Sequence, residues 1–401
     1  MLINIQVLYV LNMKLPKFSF SEELSELQKF ENLEQKYKEI VFYSEDKNSW
    51  FIFKSLVQEL IDTYNMNICY VTSNKDEPIL KSENEKIKKF FIGDGVARTK
   101  FFLNLKAKIL IMTMPDLETF HIKRSKIYPV HYIHIFHAMV STHLVYRKNA
   151  FDNFDSILCV GEYQFDEIKN AEKIYNLKPK KLIRCGYSHL DNLIKKYSKE
   201  NEKIQIEKNR NHVLLAPSWG ENGLFETIIE DVIDILLSSG NQVILRPHPM
   251  SLKLSKKKIK SIEKKFFGNN NFRLETNYLN FDSFLISDIM ISDWSGAALE
   301  FAFAFEKPIL YIDVPKKIRN PDFEDIPILP IEVGIRDKIG KIILPSNINE
   351  IPTEVNNLRN KSIEIKEMIK ILRNEKIFNI GNSAKVSSKY IIELLNDLKD
   401  N

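Results

Sequence analysis

Cysteine, glycine and net charge are all scarce in this 401-residue chain, which has 3 cysteines, 12 glycines and a formal charge of +5. Cys69, Cys159 and Cys185 form no C-x-x-C pair and cannot all be bridged, so neither a disulfide framework nor a zinc ribbon is expected, and a reducing compartment fits. The charge is the difference between 58 basic and 53 acidic side chains, a small surplus that does not point to nucleic acid as a partner. The apolar start, Met1 to Asn12, lacks a basic flank, a cleavage site and the roughly 20 residues needed to cross a bilayer. It predicts a first strand or an extended arm rather than an export signal or a membrane helix. A Walker A loop, a GxGxxG fingerprint, a Ser-His-Asp order and internal repeats are all missing, which weakens NTPase and hydrolase readings.

What is present is a rhythm of short β-branched runs, each followed by a longer amphipathic stretch, the pattern of a parallel sheet covered by helices. In the first half the runs are Glu39–Ser44, Asn67–Thr72, Lys89–Ile92, Ala107–Thr113 and Ser156–Gly161, with helices predicted over Trp50–Tyr64, to about Leu105, and over Tyr163–Tyr175. A Lys-, Glu- and Asn-rich stretch from about Asn192 to Asn211 reads as a linker. A second alternation follows, with His212–Pro217, Asn241–Arg246, Asn271–Glu275, Asp288–Ser292 and Pro308–Asp313 as strands. The expected fold is α/β, with two Rossmann-type domains facing a central cleft: residues 1–200, residues 205–375, and a C-terminal helix over 376–401 that crosses back to brace the first domain.

With so few glycines, those just after strands are informative. The segment Ile291-Ser-Asp-Trp-Ser-Gly-Ala-Ala-Leu-Glu300 turns from a buried strand straight into a helix, aiming Ser292, Ser295 and the amides from Gly296 onward at an anion. Asp293 and Ser295 serve equally as helix caps, and Glu300 either accepts from ribose hydroxyls or is solvated. In Leu245-Arg-Pro-His-Pro249 two prolines hold Arg246 and His248 in an extended turn, where guanidinium and imidazole suit phosphate. The loop Ala216–Gly223, with Ser218, Trp219 and Gly220, suits close approach to phosphate or base and equally a plain strand-to-helix turn. His131, His134, His137 and His143 concentrate half of the chain's 8 histidines, but without metal-ligand spacing; a single general base, or else packed and surface histidines, is expected there rather than a metal.

From Tyr128 to Ile339 the chain resembles the CDP-glycerol glycerophosphotransferase family of teichoic acid and capsule synthesis, whose members are GT-B-type transferases. The residues that carry the resemblance are Phe136-His-Ala-Met-Val-Ser-Thr-His143, Ala150–Asp155, Cys159–Gly161, Gly186–Asp191, Arg246–Pro249, Ser292–Ser295 and Lys307–Ile309. Where the family commonly has Gly after its first motif His, this chain has Ala138, and its second motif ends in Gly296 rather than Ser. The resemblance implies that His137 is the base, that His248 and Arg246 face the donor phosphates, and that Asp293, Ser295 and Gly296 belong to the nucleotide pocket.

The expected reaction is transfer of glycerol phosphate from CDP-glycerol, a substrate with no cofactor required, to a polymer or lipid-linked acceptor. A glycosyltransferase using a nucleotide sugar and a non-catalytic carbohydrate-binding subunit are the alternatives. The basic stretch Ser251–Lys265 reads as a solvated helix face or as an anionic-membrane contact, which makes a cytoplasmic protein, peripheral on the inner membrane face, the expected location.

Overall fold

The protein is described here by a computed structural model covering residues 19–46, 49–200, 211–278 and 280–400. The expected arm at Met1–Asn12 and the linker residues 201–210 lie outside the described residues; 192–200 belong instead to a helix, Ser188–Glu200.

Thirteen strands form two parallel sheets among the described residues. The first contains β1 (Ile40–Ser44), β2 (Ile68–Thr72), β3 (Ile87–Phe91), β4 (Ile109–Met112), β5 (His131–Ile135), β6 (Ser156–Cys159) and β7 (Lys181–Arg184), in the order β3-β2-β1-β4-β5-β6-β7. The second contains β8 (His212–Leu215), β9 (Gln242–Leu245), β10 (Phe272–Leu274), β11 (Ile289–Ser292), β12 (Ile309–Ile312) and β13 (Gly340–Ile343), in the order β10-β9-β8-β11-β12-β13. The strand order reverses between β1 and β4 and between β8 and β11. A parallel sheet covered on both faces needs apolar side chains on both sides of its central strands, and β1, β2, β4, β6 and β11 are buried at every position. Because all strands of a sheet run the same way, the loops after them gather along one edge, where α/β folds bind ligands.

One helix joins the halves. Gly296–Phe305 (GAALEFAFAF) is apolar around nearly its whole circumference, with Ala298, Leu299 and Phe301 to Phe305 buried. A helix apolar on all sides must be covered on all sides. It packs against Ser188–Glu200 from the first half and against the C-terminal helix Ser362–Lys376. Glu306, in the left-handed region at φ 55°, ends it and pairs with Arg373 at 3.1 Å. The last helix, Ser383–Asp400, returns to the first sheet: Tyr390 meets the Ser156 hydroxyl at 2.5 Å, and Lys399 pairs with Glu39 at 2.8 Å.

Candidate active site

His137 stands two residues beyond β5, open to solvent in the cleft, yet protein surrounds it closely enough that desolvation lowers its pKa. A ring N–H bound to the Thr113 carbonyl and the negative charge of Asp46 oppose that shift. With one nitrogen committed as donor, the other carries the lone pair a general base needs. The loop behind it is held by carboxylates. Glu332 accepts from the Ser141 amide (3.0 Å) and hydroxyl (2.8 Å), while Glu167 accepts from the Thr142 amide (2.5 Å) and hydroxyl (2.7 Å). The Tyr187 hydroxyl lies 2.8 Å from the His137 carbonyl and 3.1 Å from Glu300.

The other histidines of the cluster have structural surroundings. His134 is packed among Phe136, Phe151 and Phe154, and burial drives its pKa down to about 3. His131 bonds the Ser156 hydroxyl at 2.7 Å. His143 lies 3.4 Å from Glu167, with its other nitrogen 3.0 Å from the Ile328 carbonyl; desolvation works against its charged form, but Glu167 outweighs it and raises the pKa. No group of three or more His, Cys, Asp or Glu among the described residues is placed to hold a metal ion.

Across the cleft, His248 caps the helix Pro249–Leu254, its Nδ1 accepting from the Met250 amide at 3.1 Å. That bond fixes the neutral tautomer: the ring proton sits on Nε2 and is available to a ligand. Burial, then the charges of Lys317 and His137, press its pKa down to about 3, so at neutral pH His248 is a hydrogen-bond donor rather than an acid.

The remaining expected residues divide into those that face the cleft and those that shape it. Asp293 is buried, its oxygens taking the Ser218 amide (2.6 Å), the Ser218 hydroxyl (3.0 Å) and the Leu224 amide (3.0 Å). It ties the loop after β8 to the loop after β11. Gly220, at φ 129°, makes a turn there that a side chain would strain. The Trp219 ring lies 6.2 Å from His248. Ser295 is the N-cap, accepting from the Ala297 amide at 3.4 Å, and a Cβ on Gly296 would come within 3.4 Å of Ala138 and Val140 in the opposite half. The helix N-terminus thus lies directly against the His137 loop.

Two expectations are corrected. Arg246 is not free for phosphate: it pairs with Glu275 at 2.6 Å and donates to the carbonyls of Asn280 (2.7 Å) and Tyr278 (3.2 Å), ordering the segment after β10. Ser292 is sealed inside the sheet, donating to the Ala216 carbonyl at 2.7 Å. Glu300 is half-buried, accepting from the Tyr187 hydroxyl at 3.1 Å, and burial raises its pKa to about 7. The sequence reading also passed over Lys317 and Arg319 in the loop after β12. A basic Pro315-Lys-Lys-Ile-Arg319 run directly after a strand was the available signal.

The family of CDP-glycerol:poly(glycerophosphate) glycerophosphotransferases matches residues 26–316. The chain belongs to that family. A relative, the teichoic acid poly(glycerol phosphate) polymerase of Bacillus spizizenii, is 31% identical over 184 residues, covering 41% of this chain and 43% of the polymerase. The match thus spans less than half the length of that curated relative. Among solved structures, the wall teichoic acid polymerase TagF superposes with a TM-score of 0.60 at 15% identity over 94% of both chains. S. aureus MnaA bound to UDP gives 0.58 at 13% identity, covering 90% of this chain and 97% of that one. A glycosyltransferase from Rickettsia africae gives 0.52 at 11%, covering 91% and 99%. At such identities the likeness is one of fold: two parallel sheets in the GT-B arrangement, as expected for this glycerophosphotransferase family. The motif residues His137, His248 and Ser295 all lie within the matched span.

Glu332 yields a pH prediction. Burial raises its pKa to about 7 despite the two Ser141 bonds, so its contribution to stability is fully present below the ordinary carboxylate pKa and is lost as pH rises through about 7. Glu332→Gln cannot ionise. Between pH 5 and pH 8 its stability relative to wild type should improve by up to roughly 3 kcal/mol. Thermal unfolding at both pH values measures this, and a pH-independent difference would refute it.

Proposed function

We propose that this protein transfers glycerol phosphate from CDP-glycerol to a hydroxyl of a cell-surface polymer or its lipid-linked precursor, releasing CMP. The single observation behind this reading is that family motifs from both halves meet at one place: the His137 loop lies against the helix N-terminus at Gly296, and Asp293 beside it holds the loop whose Trp219 ring faces His248. Residues 1–200 form the acceptor side, 205–375 the donor side, and the helical end from 376 braces the first.

The acceptor hydroxyl attacks the phosphorus next to glycerol, its proton passes to the free nitrogen of His137, and the bond to CMP breaks. Phosphoryl transfer asks chiefly for positioning and charge stabilisation. The Nε2–H of His248 and the amide of Gly296, at the positive end of its helix, supply donors to the phosphates. Ser218, Trp219 and Gly220 form the adjoining wall of the nucleotide pocket, shaped by Asp293. Incubating purified protein with CDP-glycerol, CDP-ribitol and several nucleotide sugars, with a glycerophosphate-bearing acceptor present, tests the donor. CMP release from CDP-glycerol is expected; nucleotide release only from a sugar donor would make this a glycosyltransferase, and acceptor binding with no release from any donor would make it a non-catalytic subunit.

The proposed location is the cytoplasmic face of an anionic membrane. Among the described residues no helix is long and apolar enough to cross a membrane. The basic segment forms two helices, Pro249–Leu254 and Lys256–Lys265, with Lys256 and Lys257 exposed. Leu254, 67% exposed, and Phe267, 89% exposed, flank the second. Reversing Lys256, Lys257 and Lys258 to Glu should weaken sedimentation with phosphatidylserine vesicles by tenfold or more, at about 1 kcal/mol per charge. Unchanged sedimentation would refute this location.

A further inference from the structure

The loop after β12 brings into the cleft two cations that the motifs do not include. Lys317 Nζ donates to the Trp219 carbonyl at 2.7 Å and lies 4.0 Å from the Trp219 ring centroid. The Arg319 guanidinium carbon is 4.8 Å from the same ring, and His248 faces it at 6.2 Å. Three hydrogen-bond donors of positive or neutral character therefore surround a single indole.

Their donors are largely unspent. An ammonium has three N–H groups, and the Trp219 carbonyl takes one. Asp293, the carboxylate whose charge Lys317 feels, already accepts from Ser218 and Leu224. Among the described residues no ion pair within 4.0 Å involves Lys317 or Arg319. Burial and the charge of Arg319 bring the Lys317 pKa down to about 8, which still leaves it mostly cationic at neutral pH. A partly buried cation with no carboxylate in ion-pair contact, beside a neutral N–H donor, is an arrangement that an anion completes.

The loop is held from the opposite half. Arg319 N donates to the Leu144 carbonyl at 2.9 Å, Lys148 pairs with Asp322 at 2.7 Å, and Tyr175 reaches Asp325 at 3.1 Å. At its base Trp294 donates to the Val314 carbonyl at 2.9 Å. The two cations thus sit on a segment rooted in the second sheet and fastened to the first, on the Trp219 ring that His248 also faces.

We propose that Lys317 and Arg319 bind the diphosphate of the nucleotide-activated donor, taking the part that the sequence motif suggested for Arg246. This rests on the transferase reading above. Lys317 makes the stronger contact, because its stem is fixed against Trp219 and its remaining N–H groups lose little freedom on binding.

Isothermal titration of the full chain with CDP-glycerol and with inorganic pyrophosphate tests it. Lys317→Met keeps an unbranched apolar stem over Trp219 while removing the charge. It should weaken both ligands by about tenfold or more, the usual loss for a charge-assisted hydrogen bond, and flatten the salt dependence of binding. Arg319→Gln should weaken them less, Lys317→Arg should restore most of the affinity, and Lys385→Gln on the exposed face of the last helix should change nothing. If wild type binds CDP-glycerol and both Lys317→Met and Arg319→Gln bind it equally well, this assignment falls while the transferase reading stands. If wild type binds neither ligand, both fall.

Discussion

His137→Ala should lower CMP release by about 10²- to 10⁴-fold, the range general base catalysis supplies, with no loss of thermal stability. The side chain is open to the cleft and bonds the Thr113 carbonyl, so its removal leaves no buried cavity and exposes an acceptor that water can satisfy. His248→Ala should also remove most turnover, for another reason: it deletes the Nε2–H donor and the helix cap on Met250 together. His248→Asn separates the two. A shortened amide can still accept from Met250 but cannot reach as far into the cleft, so stability should recover and activity should not. Full turnover in His137→Ala would remove it from the mechanism.

Asp293→Ala should be the most damaging change to the donor wall. It strands two buried amides and a buried hydroxyl that now share one carboxylate, at about 1–3 kcal/mol for each unsatisfied group, and the costs are not additive. A loss of roughly 3 kcal/mol in stability is expected from urea unfolding. Donor affinity should fall with it, because the Ser218–Gly223 loop has no other anchor to the turn after β11. Asp293→Asn retains an acceptor oxygen and should lie between the two. An alanine variant with wild-type stability and donor affinity would show that the loop is fixed by other contacts.

Much of this architecture was legible in the chain. The β-branched runs at Ile40–Ser44, Ile68–Thr72, Ile109–Met112 and Ile289–Ser292 are central strands buried on both faces, so their sequences have little freedom to be anything but apolar. Of the strands missing from the sequence pattern, Lys181–Arg184 and Gly340–Ile343 are outer edges of their sheets, while His131–Ile135 lies inside the first sheet, its histidines masking the apolar run. Edge strands carry charge and give up burial to avoid pairing with other chains, and Lys-Leu-Ile-Arg, exposed at both ends, has that character. Gly340 is required by packing: a Cβ there would overlap the Ile309 carbonyl.

At His248 the flanking prolines mark the turn that ends a strand, whereas His137 stands out in the sequence only through the cluster of histidines and the family resemblance. The site was illegible where the answer depends on a neighbouring strand. Arg246 has the chemistry for phosphate, but Glu275 sits one strand away and 29 positions along the chain, and their pairing is a product of register. Lys317 was hidden for the converse reason: nothing in a lysine-rich sequence distinguishes a cation folded against Trp219 from one on a solvated face. The basic stretch 251–265 was read as a single element, whereas Ser255 divides it and caps neither part with its side chain.

The central claim is that glycerol phosphate, not a sugar, moves to the acceptor. Mass spectrometry of a glycerophosphate-bearing acceptor after incubation with purified protein and CDP-glycerol reads this directly. The account predicts acceptor enlarged by whole glycerol phosphate units, in step with CMP formed and absent with His137→Ala. An acceptor of unchanged mass in the presence of CDP-glycerol, but gaining a hexose when a nucleotide sugar is supplied, would contradict it.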